Sequence, residues 1–214
     1  MPDHPFFARI YDRALAATEK AGLAEMRHSL LAEASGRVLE IGAGTGLNLP
    51  HYTDRVEELI MAEPDPHMAA RLRDRLQNEP VAAGRVKVVE ATAEQLPFDD
   101  DSFDTVVSTL VLCTVENQGR SLAEVRRVLV EGGALLFIEH VRSHSRRLAR
   151  FQDVIERPWG WVSGGCHPNR ATDDAIAGGG FWIDRLERGT LPKALRPMRP
   201  MVQGVARRPE AVRR

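Results

Sequence analysis

Residues 37–46 read Arg-Val-Leu-Glu-Ile-Gly-Ala-Gly-Thr-Gly, a short apolar run that stops on three glycines at alternate positions. An apolar segment of this length, bounded by a turn, has the pattern of a strand buried on both faces. Glycine at 42, 44 and 46 permits positive φ and strips the turn of side chains, so its backbone amides can approach a ligand closely. Leu47-Asn48-Leu49 then opens what the spacing predicts to be a helix. Strand, glycine turn and helix in this order point to an α/β architecture whose ligands bind beyond the carboxyl ends of the strands. The same residues disfavour two common occupants. A dinucleotide fingerprint needs glycine at 42, 44 and 47, where position 47 is Leu, and no Gly-Lys-Ser/Thr follows to make a nucleotide phosphate loop.

The alternation continues downstream. Val56 to Ala62, Val86 to Val89, Phe103 to Leu112 and Ala134 to Ile138 are predicted strands, and Asp65 to Gln77 and Gln118 to Val130 are predicted helices, the second ended by Gly132-Gly133. Asp65 is placed to cap the helix that Pro66 begins. Upstream, Ile10, Leu15, Leu23, Met26, Leu30 and Leu31 recur at helical spacing, with Gly22 as a break between two lead-in helices. Beyond Glu139 the pattern predicts a helix over Arg146 to Arg157, a loop rich in Gly, Trp and Pro, and a short helix near Thr172 to Ala177. Trp182 to Arg188 and Met201 to Arg207 are expected to close the sheet as an antiparallel pair, with Pro192, Pro197 and Pro200 holding an extended connection. At 214 residues and 23.8 kDa one core accommodates all of this. The expected organisation is a single doubly wound domain over residues 1–214.

Lys plus Arg (29) nearly balances Asp plus Glu (30), so no global field draws the chain to nucleic acid or anionic lipid. No apolar run approaches the length of a membrane span, and the only features suited to a peripheral membrane contact are Phe6-Phe7 and the Arg207, Arg208, Arg213 and Arg214 tail. Cys113 and Cys166 lie far apart without ligand spacing, which speaks against a metal site or a secreted disulfide framework and for a reducing cytoplasm. Cys113, in an apolar stretch, reads as a small buried hydrophobe.

The run Glu40-x-Gly42-x-Gly44-x-Gly46 resembles the cofactor turn of class I S-adenosylmethionine-dependent methyltransferases. Further matches are Glu63 after the second strand, Ala91-Thr92-Ala93-Glu94-Gln95-Leu96-Pro97-Phe98, the segment DDDSFDTVV over 99–107, and the helix end Arg126-Arg127-Val128-Leu129 to Gly132-Gly133. The resemblance covers roughly residues 37–140. It implies a Rossmann-like, seven-stranded, mostly parallel sheet with a terminal antiparallel strand and helices on both faces. It also implies a helical lid over 1–35, a cofactor-binding core over 36–140, and an acceptor-side insert with closing strands over 141–214. S-adenosylmethionine is the implied cofactor and S-adenosylhomocysteine the product. The implied cofactor contacts are Tyr11, Glu40, Gly42, Ala43, Gly44, Gly46, Asn48, Glu63, Pro64, Thr92, Ala93, Glu94, Thr109 and Leu110. A carboxylate suits the Glu63 position because it can accept from two vicinal hydroxyls at once. Many relatives have Asp where Thr92 stands, which leaves adenine contacts to Thr92, Ala93 or Glu94.

Thr109-Leu110-Val111-Leu112-Cys113-Thr114-Val115, Glu139-His140-Val141 and Gly164-Gly165-Cys166-His167 with Arg170-Ala171-Thr172 look like the methyltransferase-like seven group of thiol methyltransferases. The resemblance implies transfer of a methyl group to a small thiol. His140, at a strand end, and His167, beside Cys166, are the catalytic candidates, each with a structural alternative, and Trp159 and Trp161 are candidates for the acceptor pocket. The lead-in helices and the stretch from His140 to Phe181 are expected to choose the acceptor. Two other readings stand beside this one: methylation of oxygen or nitrogen on a small metabolite or phospholipid headgroup, suggested by Gly46-Leu47-Asn48-Leu49-Pro50, and a non-catalytic protein that binds the cofactor.

Overall fold

The computed structural model describes residues 5–78 and 85–210, with side chains described from residue 11 onward except at 78 and 162. Its lead-in comprises α1 (Pro5–Thr18), a π-helical turn (Glu19–Leu23) and α2 (Ala24–Leu31). The break falls at Gly22, whose φ of 139° is outside the helical range. There follow β1 (Gly36–Ile41), β2 (Val56–Ala62), α3 (Pro66–Asn78), β3 (Val86–Val89), β4 (Phe103–Thr109), α4 (Gln118–Val128), β5 (Leu129–His140), α5 (Arg146–Val162), α6 (Thr172–Gly178), β6 (Trp182–Thr190) and β7 (Pro200–Arg207). Among the described residues no helix is long and apolar enough to cross a membrane.

The strands form one seven-stranded sheet in the order β3-β2-β1-β4-β5-β7-β6. β1 pairs in parallel with β2 and β4, β2 with β3, and β4 with β5, whereas β7 runs antiparallel between β5 and β6. This is the expected sheet, with its antiparallel strand last in the chain and second from the edge. Side chains alternate between two cores. On one face Leu39, Val106, Leu135 and Phe137 pack with Leu122 and Val125 of α4 and Ile176 of α6. On the other, Val38, Val107, Leu136 and Ile138 pack with Leu30 and Leu31 of α2 and Leu72 of α3. Burial on both faces is why these strands read as continuous apolar runs.

The order reverses between β1 and β4, and such a switch point leaves a crevice beyond the carboxyl ends of the two strands. Five local expectations are corrected by the structure. No α-helix follows the glycine turn; Pro50 sits in a three-residue 3-10 turn, Leu49–His51, and the chain passes directly to β2. β4 stops at Thr109 because Leu110 turns to φ 60°. α4 ends at Val128, and Gly132-Gly133 lie inside β5, where the register against β4 shifts between the Phe103–Leu129 and Thr105–Ala134 pairs. α5 continues through Pro158 to Val162. The 191–199 connection folds back on itself, with Leu191 N–H donating to Arg199 O at 2.7 Å and a 3-10 turn at Arg196–Met198, which buries Leu191 and Met198.

At the closing strands, Arg207 pairs with Asp184 at 2.6 Å and Arg208 with Asp101, so both are engaged within the fold. Arg213, Arg214 and the side chains of Phe6 and Phe7 lie outside the described residues. Gly204 of β7 is held where a Cβ would clash with the backbone oxygen of Arg185 and stand 2.9 Å from Phe137 Cζ. Gly178, at the end of α6, has open space at the same position. Gly204→Ala should therefore cost about 1–3 kcal/mol in urea denaturation, whereas Gly178→Ala should stay within about 0.5 kcal/mol of the parent.

Candidate active site

A cleft of about 560 Å³ opens at the switch point, walled by residues at and beyond the carboxyl ends of β1 to β5. Gly42 and Gly44 come from the turn after β1, Glu63, Pro64 and Asp65 from β2, Thr92, Ala93 and Glu94 from β3, Thr109 to Val111 and Cys113 to Val115 from β4, and His140 from β5. Helix α1 contributes Tyr11, Ala14, Leu15 and Thr18, and the 163–166 loop contributes Ser163, Gly164 and Cys166. Leu191, Lys193, Ala194, Leu195 and Met198 complete the wall. The β6–β7 connection thus joins the lead-in helices and the 140–181 stretch in shaping the cleft, a contribution that its prolines masked in the linear chain.

At one end the turn is pinned by Glu63. One carboxylate oxygen accepts from Gly44 N–H at 2.7 Å and the other from Asp65 N–H at 2.9 Å. Burial pushes the Glu63 carboxyl above its ordinary value, and the two amides oppose that shift. Each oxygen retains a lone pair for a further donor. Asp65 caps α3 as expected, accepting from the N–H groups of His67 at 2.8 Å and Met68 at 3.1 Å. Gly44 has φ 57°, and a Cβ there would face Tyr11 Cε1 at 3.9 Å, across the opening. Asp12 fastens α1 over the turn by accepting from the Thr45 hydroxyl at 2.5 Å and from Arg75 at 2.9 Å.

Four of the residues proposed from sequence stand behind the cleft. Ala43 is buried, and Gly46 is a packing position, since a Cβ would meet Leu72 Cδ1 at 2.6 Å and Leu49 Cδ1 at 2.9 Å. Glu40 accepts from Asn48 Nδ2 at 2.9 Å and the Tyr52 hydroxyl at 2.7 Å, while Asn48 also donates to Thr109 Oγ1 at 3.1 Å. Arg27 donates to Asn48 Oδ1 at 2.6 Å and pairs with Glu19 at 3.0 Å. This network couples the lead-in helices, the glycine turn and the end of β4. Glu94 reaches the cleft wall, and its carboxylate also accepts from Glu116 N–H at 2.8 Å.

The other end is organised by a residue that sequence reasoning missed. Glu139 is fully buried at the end of β5, and it accepts from the Ser108 hydroxyl (2.7 Å) and the N–H groups of Val111 (3.0 Å), Leu112 (3.0 Å) and Cys113 (3.2 Å). The carboxylate wraps the chain after β4 into a turn that points Cys113 toward β5. His167 N–H then donates to Cys113 O at 2.8 Å and Arg170 donates to Leu112 O at 2.9 Å, which lays the 163–170 loop against that turn. As a result Cys166 Sγ lies 3.5 Å from His140 Nδ1, and one ligand atom each of Cys113, His140 and Cys166 falls within 4.8 Å of the other two. Cys113 is buried, as its apolar surroundings in the sequence suggest, and the fold adds Cys166 and His140 as its neighbours. Hydrogen bonding from Cys113 and the nearby imidazole hold the Cys166 thiol below the ordinary cysteine range, and Cys113 is pushed up.

His140 is therefore on the wall, whereas His167 turns away and pairs with Glu156 Oε1 at 2.6 Å. Trp159 lines the cleft, and its indole N–H is buried without a well-formed hydrogen bond among the described residues. Trp161 is 91% exposed and takes no part.

The family model described as "Methyltransferase domain" matches residues 39–137. Thiol S-methyltransferase TMT1B of Homo sapiens is 35% identical over 180 residues, 82% of this chain and 73% of that protein. Thiol S-methyltransferase TMT1A of Homo sapiens is 32% identical over 204 residues, 94% of this chain and 82% of that protein. Among solved structures, a SAM-dependent methyltransferase of Thermotoga maritima, described as a possible histamine N-methyltransferase, aligns with a TM-score of 0.66 at 25% identity over 95% of each chain.

The buried network behind the turn has a measurable signature. Desolvation pushes the Glu40 carboxyl up to about 7 from 4.5, against the opposing hydrogen bonds of Tyr52 and Asn48. The folded chain thus keeps a proton that the unfolded chain releases, and the stability this group contributes is lost as pH rises from about 4.5 to about 7. Glu40→Gln should flatten the stability–pH curve in that window, by on the order of 2–3 kcal/mol across it, in urea titrations run at successive pH values.

Proposed function

The chain belongs to the S-adenosylmethionine-dependent methyltransferase family that includes the thiol S-methyltransferases TMT1A and TMT1B, and on that premise we propose that it methylates the sulfur of a small alkyl or aryl thiol. The observation that carries the reading is the division of one cleft into two ends, a glycine turn with Glu63 at one and Cys113, His140 and Cys166 at the other.

The first end suits the cofactor. Gly42 and Gly44 present bare backbone to the cleft, and Glu63 keeps a lone pair on each oxygen for a pair of hydroxyls. Pro64, Thr92, Ala93 and Glu94 border the place for the base, Thr109 and Leu110 lie between the two ends, and Tyr11 on α1 covers the glycine turn. Glu40, Asn48, Ala43 and Gly46 serve by holding this wall in shape. When bound, S-adenosylmethionine supplies a methyl group on a positively charged sulfonium, displaced in line with S-adenosylhomocysteine leaving as a neutral thioether.

The electrophile thus needs no activation by the chain, whose residues align the acceptor and exclude water. Alignment alone is worth several kcal/mol, up to about 7–11 in favourable cases. We assign His140, Cys113 and Cys166 to the acceptor sulfur, with Trp159, Leu191, Leu195 and Met198 as the apolar wall around its substituent. His167, tied to Glu156, takes a structural role. The near-zero net charge favours a small, largely uncharged acceptor over a polyanion, and two free cysteines suit a reducing cytoplasm.

Calorimetry with S-adenosylmethionine should show binding that Glu63→Ala weakens on the order of 10- to 100-fold, through loss of charge-assisted hydrogen bonds. A panel of thiols, phenols, carboxylates and amines, assayed for S-adenosylhomocysteine release, should give turnover with thiols. Turnover confined to oxygen or nitrogen acceptors would reject the thiol reading.

A further inference from the structure

We propose that Cys113, His140 and Cys166 form a binding site for a zinc-type divalent cation, with an open fourth position on the cleft that the acceptor thiol occupies as thiolate. The second half rests on the thiol reading above; the metal site stands on its own geometry.

Two sulfurs and an imidazole nitrogen are a soft donor set that zinc favours, and three protein ligands with one open position is the arrangement of catalytic rather than structural zinc. Bond lengths set a test of fit. With Zn–S near 2.3 Å and Zn–N near 2.0–2.1 Å, tetrahedral angles put sulfur and nitrogen about 3.6 Å apart and two sulfurs about 3.8 Å apart. Cys166 Sγ and His140 Nδ1 are 3.5 Å apart, and all three donor atoms lie within 4.8 Å of one another. The ligands come from three separate pieces of chain, each held in place by hydrogen bonds. Cys113 is set by the Glu139-bound turn, His140 by its pairing with Met201 in the sheet, and Cys166 by the bond from its neighbour His167 to Cys113 O. All three line the cleft, so a fourth ligand would approach from the cavity.

The charges and the chemistry agree. Two thiolates neutralise a divalent cation, and a third sulfur anion would leave one negative charge near Arg170, whose guanidinium donates to Leu112 O beside Cys113. An unperturbed alkyl thiol titrates near 8.5 and is largely protonated at neutral pH, whereas a coordinated thiol is deprotonated outright. R–SH entering the fourth position releases its proton to solvent, and its sulfur keeps an electron pair for attack. The new S–CH3 bond forms as the methyl–sulfonium bond breaks, the electron pair of that bond passing to the departing thioether. The methylated product is itself a neutral thioether, a weak ligand that leaves the site.

The test uses the full chain, purified under reducing conditions without a metal-binding tag. Elemental analysis after exposure to zinc should find about one zinc per chain, lost in Cys113→Ser and Cys166→Ser. Circular dichroism and S-adenosylmethionine binding serve to show that each variant is folded, and if one fails to fold the other carries the comparison. Cobalt(II) in place of zinc should give thiolate-to-cobalt charge-transfer bands and visible bands that shift when an alkyl thiol is added. Absence of stoichiometric metal in the reduced wild-type chain, or equal metal in a folded cysteine variant, would overturn the site. Cobalt bands indifferent to added thiol, or undiminished thiol methylation by zinc-free protein, would overturn the coordinated-thiolate role while leaving the thiol reading intact. Thiol-responsive cobalt bands with turnover only on oxygen or nitrogen acceptors would support the metal site and overturn the thiol reading.

Discussion

Much of the end of the cleft that carries Cys113, His140 and Cys166 depends on one buried carboxylate. Glu139 sits at the end of β5 with no exposure to solvent, and its desolvation outweighs four hydrogen-bond donors, since the carboxyl still titrates above its ordinary range. The return on that cost is positional. Three consecutive backbone amides after β4 are drawn onto one side chain, the chain leaves the sheet through a positive φ at Leu110, and Cys113 is directed at its neighbours. A loop of this kind could not otherwise be buried, because orphaned amides cost about 1–3 kcal/mol each.

A second buried carboxylate does the corresponding work behind the glycine turn. Glu40 gathers Asn48 and Tyr52, and Asn48 in turn reaches Thr109 and Arg27. The two networks flank the switch point between β1 and β4, one on each side of the sheet position where the crevice must open. The cleft is therefore held from behind at both ends, and its front is formed by α1, the 163–170 loop and the β6–β7 connection.

Much of this was legible in the linear chain. The apolar runs located all seven strands, Gly22 marked the break in the lead-in, and Asp65 before Pro66 marked a helix start, because each signal acts over a few residues through φ, capping or side-chain alternation. Boundaries failed where a tertiary contact overrode the local pattern. Leu110, Val111 and Leu112 are as apolar as the strand before them, yet only Leu110 N–H still reaches β5, at Ile138 O, and Glu139 takes the amides of Val111 and Leu112 out of the sheet. Val130 belongs to β5 rather than α4 because pairing with β4 outweighs the helical spacing, and the prolines of 191–199 are folded back by the bond from Leu191 to Arg199.

By itself, then, the sequence determined the doubly wound sheet, the bare glycine turn and the acid that answers it from β2, since those depend on residues adjacent in the chain or on consecutive strands. Which side chains share the far end of the cleft was decided only by the tertiary structure. Cys166 and His140 are 26 residues apart, and no spacing rule relates either to Cys113. They meet because parallel pairing brings the ends of β4 and β5 side by side and a backbone bond to Cys113 O docks the loop that carries Cys166. Their meeting is a property of sheet register and loop packing, which linear distance does not encode.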